Sequence, residues 1–248
     1  MIQRVWITGA SSGIGRELAL HYARAGATVA ASARRREELD ALAAMVPGRI
    51  HAFPVDVADA GAMASAVPAI ETAIGPLDLA ILGAGTFTPL EIDGFDVALF
   101  RRHVEINYMG VVHGIAALLP HFLARGSGYF AVIASVAGYR GLPTAAAYGP
   151  TKAALINLCE ALKPDLDKRG VGISIVNPGF VRTAMTEANK FAMPFLMEPE
   201  DAARRIAEGL AAGRFEVAFP RRFTFMLKLA RLLPYGLYFR LVRRATGR

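Results

Sequence analysis

A glycine-rich turn follows directly after the first apolar run of the chain. Residues 4–7 are suited to a strand, residues 8–15 read Thr-Gly-Ala-Ser-Ser-Gly-Ile-Gly, and residues 17–25 repeat apolar side chains at helical spacing. Glycines permit a tight turn, and the free N–H groups at the start of the next helix bind anions. An ordinary loop is the alternative, but the order of strand, turn and helix predicts the first unit of a dinucleotide-binding parallel sheet.

The rest of the chain extends this unit into a whole fold. Strand-like and helix-like segments alternate, 54% of the 248 residues are hydrophobic, and no repeat or low-complexity linker interrupts them. We therefore predict an α/β fold, a doubly wound parallel sheet of Rossmann type with helices on both faces. A single catalytic domain is expected over residues 1–220, followed by a basic amphipathic extension over residues 221–248. Predicted strands include residues 28–33, 77–82, 129–134 and 172–176, and a helix from residue 151 is expected to end or kink at Pro164.

Three polar residues in the second half of the chain are candidates for acid/base chemistry. Tyr148 and Lys152 are four residues apart, so they lie on one face of a helix. An ammonium group beside a tyrosine lowers the tyrosine pKa from about 10 toward neutrality, as a general acid/base requires. Ser135 follows a buried strand at the carboxyl edge of the sheet, where α/β folds bind ligands. An aromatic packing residue beside a lysine gives the same Tyr-x-x-x-Lys pattern, but Ser135 and the glycine turn favour catalysis.

Together these motifs resemble the short-chain dehydrogenase/reductase family. The similarity extends over residues 1–185, in the order that the family shows, and consists of the turn Thr8–Gly15, Asn107, Ser135, Tyr148, Lys152, and Asn177-Pro178-Gly179 followed by Thr183. It implies NAD(P)-dependent interconversion of an alcohol and a carbonyl in a small-molecule substrate, and a homo-oligomer, either a dimer or a tetramer. Residues after 219 lie outside the resemblance.

The resemblance also implies roles for individual residues. Tyr148 is the proton donor or acceptor, Ser135 orients the reacting oxygen, and Lys152 lowers the pKa of Tyr148 and holds the nicotinamide ribose. Asn107 supports a water that connects Lys152 to solvent. The chain departs from the family at Leu82-Gly83, where relatives carry two asparagines. The residues expected to bind the dinucleotide are Gly9, Ser11, Gly13, Ile14, Gly15, Arg34, Arg35, Asp56, Val57, Ala84, Gly85, Tyr148, Lys152, Pro178, Gly179, Val181 and Thr183.

The choice of cofactor depends on the arginines after the second predicted strand. An acidic residue at this place binds the ribose 2′-hydroxyl of NAD, whereas arginine accommodates the 2′-phosphate of NADP. No Asp or Glu occurs between Glu17 and Glu37, and residues 34–36 are all arginine. We predict that NADP(H) is preferred over NAD(H), with Arg34 as the first candidate for the phosphate and Arg35 as the second. A solvated basic start of the next helix is the alternative.

The segment after Thr183 is expected to cover the substrate. Residues 184–197 are rich in Met, Phe and Pro, and they predict a mobile apolar lid. Methionines are adaptable packing residues, so a bulky apolar or lipid-like substrate is one interpretation, and ordinary core packing is the other.

The positive charge of the chain is concentrated at its C-terminus. The net charge is +7, but residues 214–248 hold nine Lys/Arg and one Glu. Residues 221–233 and 235–244 predict two amphipathic helices separated by Pro234. They either bind an anionic membrane surface or pack over the substrate entrance or a partner subunit, and the packed arrangement is preferred at this stage. Nothing beyond basicity supports nucleic acid, so no nucleic-acid partner is expected.

Composition restricts the remaining classes of protein. A single cysteine, Cys159, excludes an internal disulfide, and the five histidines show no ligand spacing, so no metal is expected. No signal peptide and no apolar run of about 20 residues is evident. We expect a cytoplasmic enzyme, with peripheral membrane association as an option. The alternative functions are an inactive dinucleotide-sensing regulator and a membrane-associated adaptor.

Overall fold

A seven-stranded parallel sheet forms the centre of the molecule. The computed structural model describes residues 2–187 and 193–246. Within them the strands are β1 Arg4–Thr8, β2 Thr28–Ser32, β3 Ile50–Ala52, β4 Leu79–Leu82, β5 Gly128–Ile133, β6 Val171–Pro178 and β7 Glu216–Phe219. The helices are α1 Gly13–Arg24, α2 Arg36–Met45, α3 Ala60–Ile74, α4 Val97–His103, α5 Gly110–Arg125, α6 Gly149–Lys168, α7 Ala184–Glu187, α8 Pro199–Ala211, α9 Arg221–Arg231 and α10 Tyr235–Thr246.

The strand order fixes where a ligand can bind. The order is β3-β2-β1-β4-β5-β6-β7, so the chain runs outward from β1 in one direction and then returns to β4 on the other side. In open α/β sheets the crevice lies beyond the carboxyl ends of the strands at such a reversal. The glycine turn follows β1, so it stands at this crevice.

Two apolar layers hold the helices against the sheet. One joins β-strand residues to α1, α2 and α8, and the other joins them to α3, α5 and α6. Large side chains such as Trp6, Phe122 and Phe130 are fully buried in the second layer. The Trp6 indole N–H donates to Ser32 Oγ at 2.9 Å, which satisfies the polar atom of a buried aromatic. The predicted doubly wound α/β fold is confirmed.

The boundaries of some elements differ from the predicted ones. β6 continues to Pro178 because its last residues pair with β7, Asn177 with Ala218 and Pro178 with Phe219. α6 does not end at Pro164, since the helix continues to Lys168 and buries Leu166 in the core. Of the two expected outcomes at Pro164, an end of the helix is therefore wrong, and a kink stays a prediction. Tertiary packing here outweighs the loss of one backbone hydrogen bond. The proposed boundary at residue 220 between a catalytic domain and an extension stays a prediction.

One helical stretch of the described residues, Val97–Arg125, is long and apolar enough to cross a membrane by length and composition. We expected no apolar run of about 20 residues, and by length and composition this expectation is wrong. The stretch consists of α4, a π-helical turn and α5, and α5 packs against α3 and β5. Core helices of α/β domains pass the same test, and its contacts place this helix in the core.

Two glycines with the same backbone conformation differ in their surroundings. Gly48 has φ of 74° and Gly170 has φ of 72°. A Cβ on Gly170 would lie 2.3 Å from the carbonyl oxygen of Gly126, whereas a Cβ on Gly48 would meet no atom within 4 Å. Alanine at either position incurs the left-handed strain of about 1–2 kcal/mol. At Gly170 the added Cβ would also collide with the backbone that leads into β5, whereas at Gly48 it would not.

We therefore expect Gly170→Ala to lower the free energy of unfolding by about 1–3 kcal/mol more than Gly48→Ala. Urea unfolding midpoints of the two variants measure the difference. Equal midpoints would contradict the close contact between the loops that precede β5 and β6.

Candidate active site

A cleft of about 1200 Å³ lies along the carboxyl edge of the sheet. Its lining includes every residue predicted to bind the dinucleotide, together with Ser135, Tyr148 and Lys152. Asn107 is the one predicted site residue that does not line the cleft, because it is fully buried behind the wall. The fold thus brings the predicted residues together from both halves of the sheet, and their individual roles stay predictions.

The turn after β1 is shaped to hold an anionic group. Gly9 and Gly13 have φ of 75° and 53°, and a Cβ on Gly15 would lie 2.3 Å from the Gly9 carbonyl oxygen. Ser12 precedes α1 without capping it through its side chain. The first N–H groups of a helix have no partner within the helix, so those of α1 are available to a pyrophosphate. This cradle fits a dinucleotide cofactor.

A hydroxyl group ties the end of β4 to the end of β1. Thr8 Oγ1 accepts hydrogen bonds from the backbone N–H groups of Gly83, at 3.1 Å, and Ala84, at 3.3 Å. A Cβ on Gly9 would lie 2.8 Å from Ala84 Cα, so the two strand ends are in close contact. On the β4 side the link uses only backbone N–H groups, so it does not depend on side-chain amides. The replacement at Leu82-Gly83 therefore leaves this connection in place. The sequence interpretation included Thr8 in the glycine-turn motif but assigned it no structural role.

Asn107 lies in a π-helical turn, Val104–Met109, between α4 and α5. Such turns occur frequently at functional sites. Its Oδ1 accepts from the Thr86 N–H at 2.7 Å, and its Nδ2 donates to the Thr86 carbonyl at 2.9 Å and to Thr151 Oγ1 at 3.3 Å. Asn107 thereby joins the loop after β4 to the first turn of α6. Its expected support of a water stays a prediction.

Gly85 separates Asn107 from Lys152. A Cβ on Gly85 would lie 3.3 Å from Asn107 Oδ1 and 3.7 Å from Lys152 Nζ. A Cβ at this position would therefore crowd the Asn107 amide oxygen and would be in van der Waals contact with the Lys152 ammonium. The absence of a side chain keeps the amide and the ammonium close to the same stretch of backbone.

Ser135 and Tyr148 stand at the ends of the elements that carry them. Ser135 follows β5, and its Oγ accepts from the Ala137 N–H at 3.1 Å. Tyr148 immediately precedes α6, whose first turn contains Pro150, a position where proline is tolerated. The ring of Phe87 packs edge-on against Tyr148, with 5.2 Å between centroids. Tyr148 is thus held at the mouth of the cleft by an aromatic neighbour.

The pKa of Tyr148 is higher than the sequence interpretation expected. Burial raises this pKa to about 12, while a hydrogen bond with Ser135 acts in the opposite direction. Lys152 lies 5.6 Å from the centre of the Tyr148 ring, and its ammonium donates to the Ile133 carbonyl at 2.9 Å. The expected lowering of the Tyr148 pKa by Lys152 is therefore not found, because the loss of hydration is the larger effect. Tyr148 is protonated at neutral pH.

The arginines after β2 differ in their contacts. Arg34 and Arg35 are exposed and line the cleft, whereas Arg36 lies outside it. Arg35 forms an ion pair with Glu38 at 3.6 Å, and Arg36 forms one with Asp40 at 3.8 Å. Among the residues that the structure describes, Arg34 makes no ion pair. The alternative interpretation was a solvated basic start of the next helix, and the ion pairs of Arg35 and Arg36 agree with it. Arg34 has no such pair among the described residues and is the arginine available to a ligand.

Part of the cleft is apolar and is lined by residues of the C-terminal extension. The preferred expectation packed this extension over the substrate entrance, but sequence reasoning assigned none of its residues to the site. Phe223 and Leu227 of α9 line it, although α9 lies outside the family resemblance. The Phe223 ring packs against Phe180, with 5.6 Å between centroids. The predicted lid falls partly on residues 188–192, which lie outside the described residues. A strand-like contact joins Val181 to Met197 on its far side.

Lys152 is a functional group whose charge opposes folding. It is buried, and burial lowers its pKa from 10.5 to about 8. The cost of burying the charge is fully present below pH 8 and disappears as the pH rises toward the pKa of the unfolded chain. Stability contributed by this site therefore increases with pH across that interval.

We expect Lys152→Met to be inactive yet to gain stability over the wild type at about pH 7, with the gain shrinking by about pH 9.5. Urea unfolding of the variant and the wild type at both pH values measures this gain in the free energy of unfolding. Lys168→Met, on the same helix but exposed, serves as the control and should show no such pH dependence. A Lys152→Met difference that is constant with pH would contradict the assignment of a buried charge.

Comparisons with known proteins identify the family. The sequence matches the short chain dehydrogenase family over residues 3–193. An "uncharacterized oxidoreductase" of Myxococcus xanthus is 36% identical over 241 residues, which cover 96% of this chain and 95% of the relative. An oxidoreductase of Staphylococcus epidermidis, likewise uncharacterized, is 29% identical over 204 residues, covering 82% of this chain and 89% of the relative.

Solved structures share the whole fold. A short-chain dehydrogenase from Streptomyces avermitilis superposes with a TM-score of 0.85 at 27% identity, covering 98% of this chain and 96% of that one. A short chain dehydrogenase/reductase from Burkholderia phymatum, in complex with NAD, gives the same TM-score and coverage at 22% identity, a likeness of fold alone. With the family match extending over most of the sequence, this chain belongs to the short-chain dehydrogenase family and is an NAD(P)-dependent oxidoreductase.

Proposed function

We propose that the protein is an NADP(H)-dependent oxidoreductase that interconverts a carbonyl and an alcohol on an apolar small molecule, with Tyr148 as general acid/base. The observation that carries the proposal is the placement of Tyr148. It lies with Ser135 and Lys152 on the same cleft as the glycine turn, and burial keeps it protonated. A protein that only sensed a dinucleotide would need no proton donor at this position.

In the reductive direction, Tyr148 donates its phenolic proton to the carbonyl oxygen of the substrate. The nicotinamide of the bound cofactor supplies the hydride. Ser135 donates a second hydrogen bond to the same oxygen and stabilises negative charge as it develops there. The Ala137 N–H already occupies a lone pair of Ser135 Oγ, so its hydroxyl acts as a donor, to Tyr148 without substrate and to the substrate oxygen when substrate binds. In oxidation the proton moves from the alcohol to Tyr148.

Lys152 acts on the charge that Tyr148 acquires when the proton leaves. Its ammonium is anchored to the Ile133 carbonyl and lies near the Tyr148 ring. Below its pKa of about 8 it is positively charged, so it stabilises the phenolate that forms. Asn107 holds Thr86 and Thr151 in position around this lysine.

The walls of the cleft support an apolar substrate. Phe87, Phe180, Phe223 and Leu227 line the same cleft as Tyr148 and Ser135. Aromatic and aliphatic walls with few polar groups favour apolar ligands, and Ser135 and Tyr148 supply the polar groups that orient the reacting carbonyl.

A homo-oligomer completes the proposal. Ala153, Asn157 and Ala161 lie on one exposed face of α6, at a spacing of four residues. Small side chains on one face allow a second helix to approach closely. A dimer or tetramer formed through α6 is consistent with this surface, and sedimentation velocity measures the state.

Replacing Tyr148 by Phe removes the proton donor and keeps the ring. We expect kcat to fall by about 10²–10⁴-fold while cofactor binding is unchanged. Tyr129→Phe is the matched control, because it removes a tyrosine hydroxyl, bonded to Ser174 at 2.7 Å, outside the cleft. Unchanged turnover in Tyr148→Phe would refute the mechanism.

The same kinetics test the pKa of Tyr148. Because oxidation needs the phenolate, its rate in the wild type should rise with pH through the alkaline range toward a pKa of about 12. Reduction needs the protonated form and should not depend on this group near neutrality. An oxidation rate that reaches a plateau near neutral pH would show that Lys152 lowers this pKa after all.

The cofactor preference depends on Arg34. We expect the wild type to bind NADPH more tightly than NADH, and Arg34→Ala to weaken NADPH binding by about 10–100-fold, as the loss of a charge-assisted hydrogen bond predicts. NADH binding should not change. Fluorescence titration measures both constants, with Arg36→Ala as the control outside the cleft. Preferential NADH binding by the wild type would overturn the NADP(H) assignment.

A further inference from the structure

The two C-terminal helices have apolar residues on both sides. The inner side of α9 packs Phe223 and Leu227 against the body of the protein. Other side chains of α9 are exposed and also apolar: Phe225 is 62% exposed and Met226 is 59%. Leu232, immediately after the helix, is 80% exposed. The exposed apolar side chains of the two helices and of the turn between them are called the outer apolar face. They are Phe225, Met226, Leu229, Leu232, Tyr235, Leu237, Phe239 and Leu241.

The helix pair is attached to the body through other groups. The Arg140 guanidinium donates to the carbonyl oxygens of Ala230 and Leu233 at the end of α9, and it stacks 3.8 Å from the centre of the Tyr238 ring. Tyr238 is buried, and its hydroxyl donates to the Gly141 carbonyl. Arg140 also lies 5.1 Å from the centre of the Tyr235 ring, so Tyr235 belongs both to the attachment and to the outer apolar face. These contacts do not use the other side chains of that face. The face is therefore presented outward by a fixed scaffold.

The charges around this face have one sign. Residues 221–248 contain eight Lys/Arg and no Asp or Glu. Arg221 and Arg222 begin α9, and Arg240, Arg243 and Arg244 lie along α10, all of them exposed. Lys228 forms an ion pair with Glu216 of the sheet. In the described part of the chain, the arginines of α9 and α10 have no acidic partner.

We propose that the outer apolar face docks on the surface of an anionic lipid bilayer, with the surrounding arginines among the headgroups. An apolar helix face bordered by basic residues is the pattern that binds at such an interface. A second copy of the chain is a poor occupant, because a two-fold contact through this face would bring each set of arginines against the other. A bilayer supplies both the apolar layer and the negative charge.

Docking in this way would place the apolar end of the cleft beside the bilayer. Phe223 and Leu227 line the cleft from the inner side of the helix whose outer side meets lipid. An apolar substrate could then pass from the membrane toward Tyr148 along α9. This delivery rests on the proposed function, whereas the docking itself does not.

Vesicle co-sedimentation of the full chain tests the apolar contribution. We expect the protein to pellet with vesicles of phosphatidylcholine and phosphatidylserine, and Leu229→Asp to weaken binding by about ten-fold or more. Met45→Asp is the matched control, since Met45 is 48% exposed and Leu229 is 50% exposed. Met45 ends α2, which packs against β3 at the opposite edge of the sheet from β7, so its variant should bind as the wild type does.

The arginines are tested by comparing two triple variants that have the same net charge. Replacing Arg240, Arg243 and Arg244 together by Gln should abolish the preference for phosphatidylserine over pure phosphatidylcholine vesicles. The control replaces three exposed arginines of the body, Arg24, Arg36 and Arg169, by Gln and should retain the preference. A loss of the same size in both triple variants would mean that total charge alone attracts the protein, and would overturn a docking face.

Further outcomes decide against the proposal. Wild-type protein that pellets equally with both kinds of vesicle or with neither refutes it, as does unchanged binding of Leu229→Asp. If sedimentation velocity shows that Leu229→Asp dissociates an oligomer while vesicle binding persists, the face belongs to a second copy. Tyr148→Phe should bind vesicles normally, so failure of the proposed chemistry and failure of docking are seen separately.

Discussion

The close contact between the carboxyl ends of β1 and β4 is the constraint on which the rest of the structure depends. Gly9 can approach Ala84 only because it has no side chain, and the Thr8 hydroxyl then holds the backbone N–H groups of residues 83 and 84. This contact sets the edge from which the glycine turn and the loop of Gly85 face the same crevice. Asn107 and Thr151 continue the connection to α6, so Tyr148 and Lys152 are positioned relative to the turn through a chain of short hydrogen bonds. The cofactor cradle and the proton donor are thus parts of one rigid edge.

Burial acts on the two ionisable groups of this edge in ways that serve the chemistry. It raises the pKa of Tyr148 to about 12 and lowers that of Lys152 to about 8, and both shifts favour the neutral forms. In the proposed reaction the tyrosine therefore keeps its proton until a substrate oxygen can take it. The lysine carries a charge that the fold does not favour, and that charge is useful only when a phenolate forms beside it. Active sites commonly accept such a loss of stability in exchange for preorganised electrostatics.

The C-terminal helices link the cleft to the outer surface of the molecule. Their inner side lines the apolar part of the cleft, and Arg140, close behind Ser135 in the chain, fixes their position. The match to the Myxococcus xanthus oxidoreductase covers 96% of the chain, leaving about ten residues outside it, so the similarity enters this 28-residue extension. At least part of the extension is therefore matched in one relative.

The sequence by itself determined the fold class, the order of the elements and the set of residues that meet at the cleft. Those features depend on local patterns: apolar runs, glycine spacing, the Tyr148–Lys152 interval and the break at Pro234. Only the tertiary structure decided the balance of forces inside the site. The spacing of Tyr148 and Lys152 predicted attraction between an ammonium and a phenolate, but the pKa values depend on how much water each group loses, and that is a property of the packed fold. Tertiary contacts also carry α6 past Pro164 and bring Phe223 into the cleft. Contacts between residues distant in the chain outweigh local propensity, and they leave no signal in the local sequence.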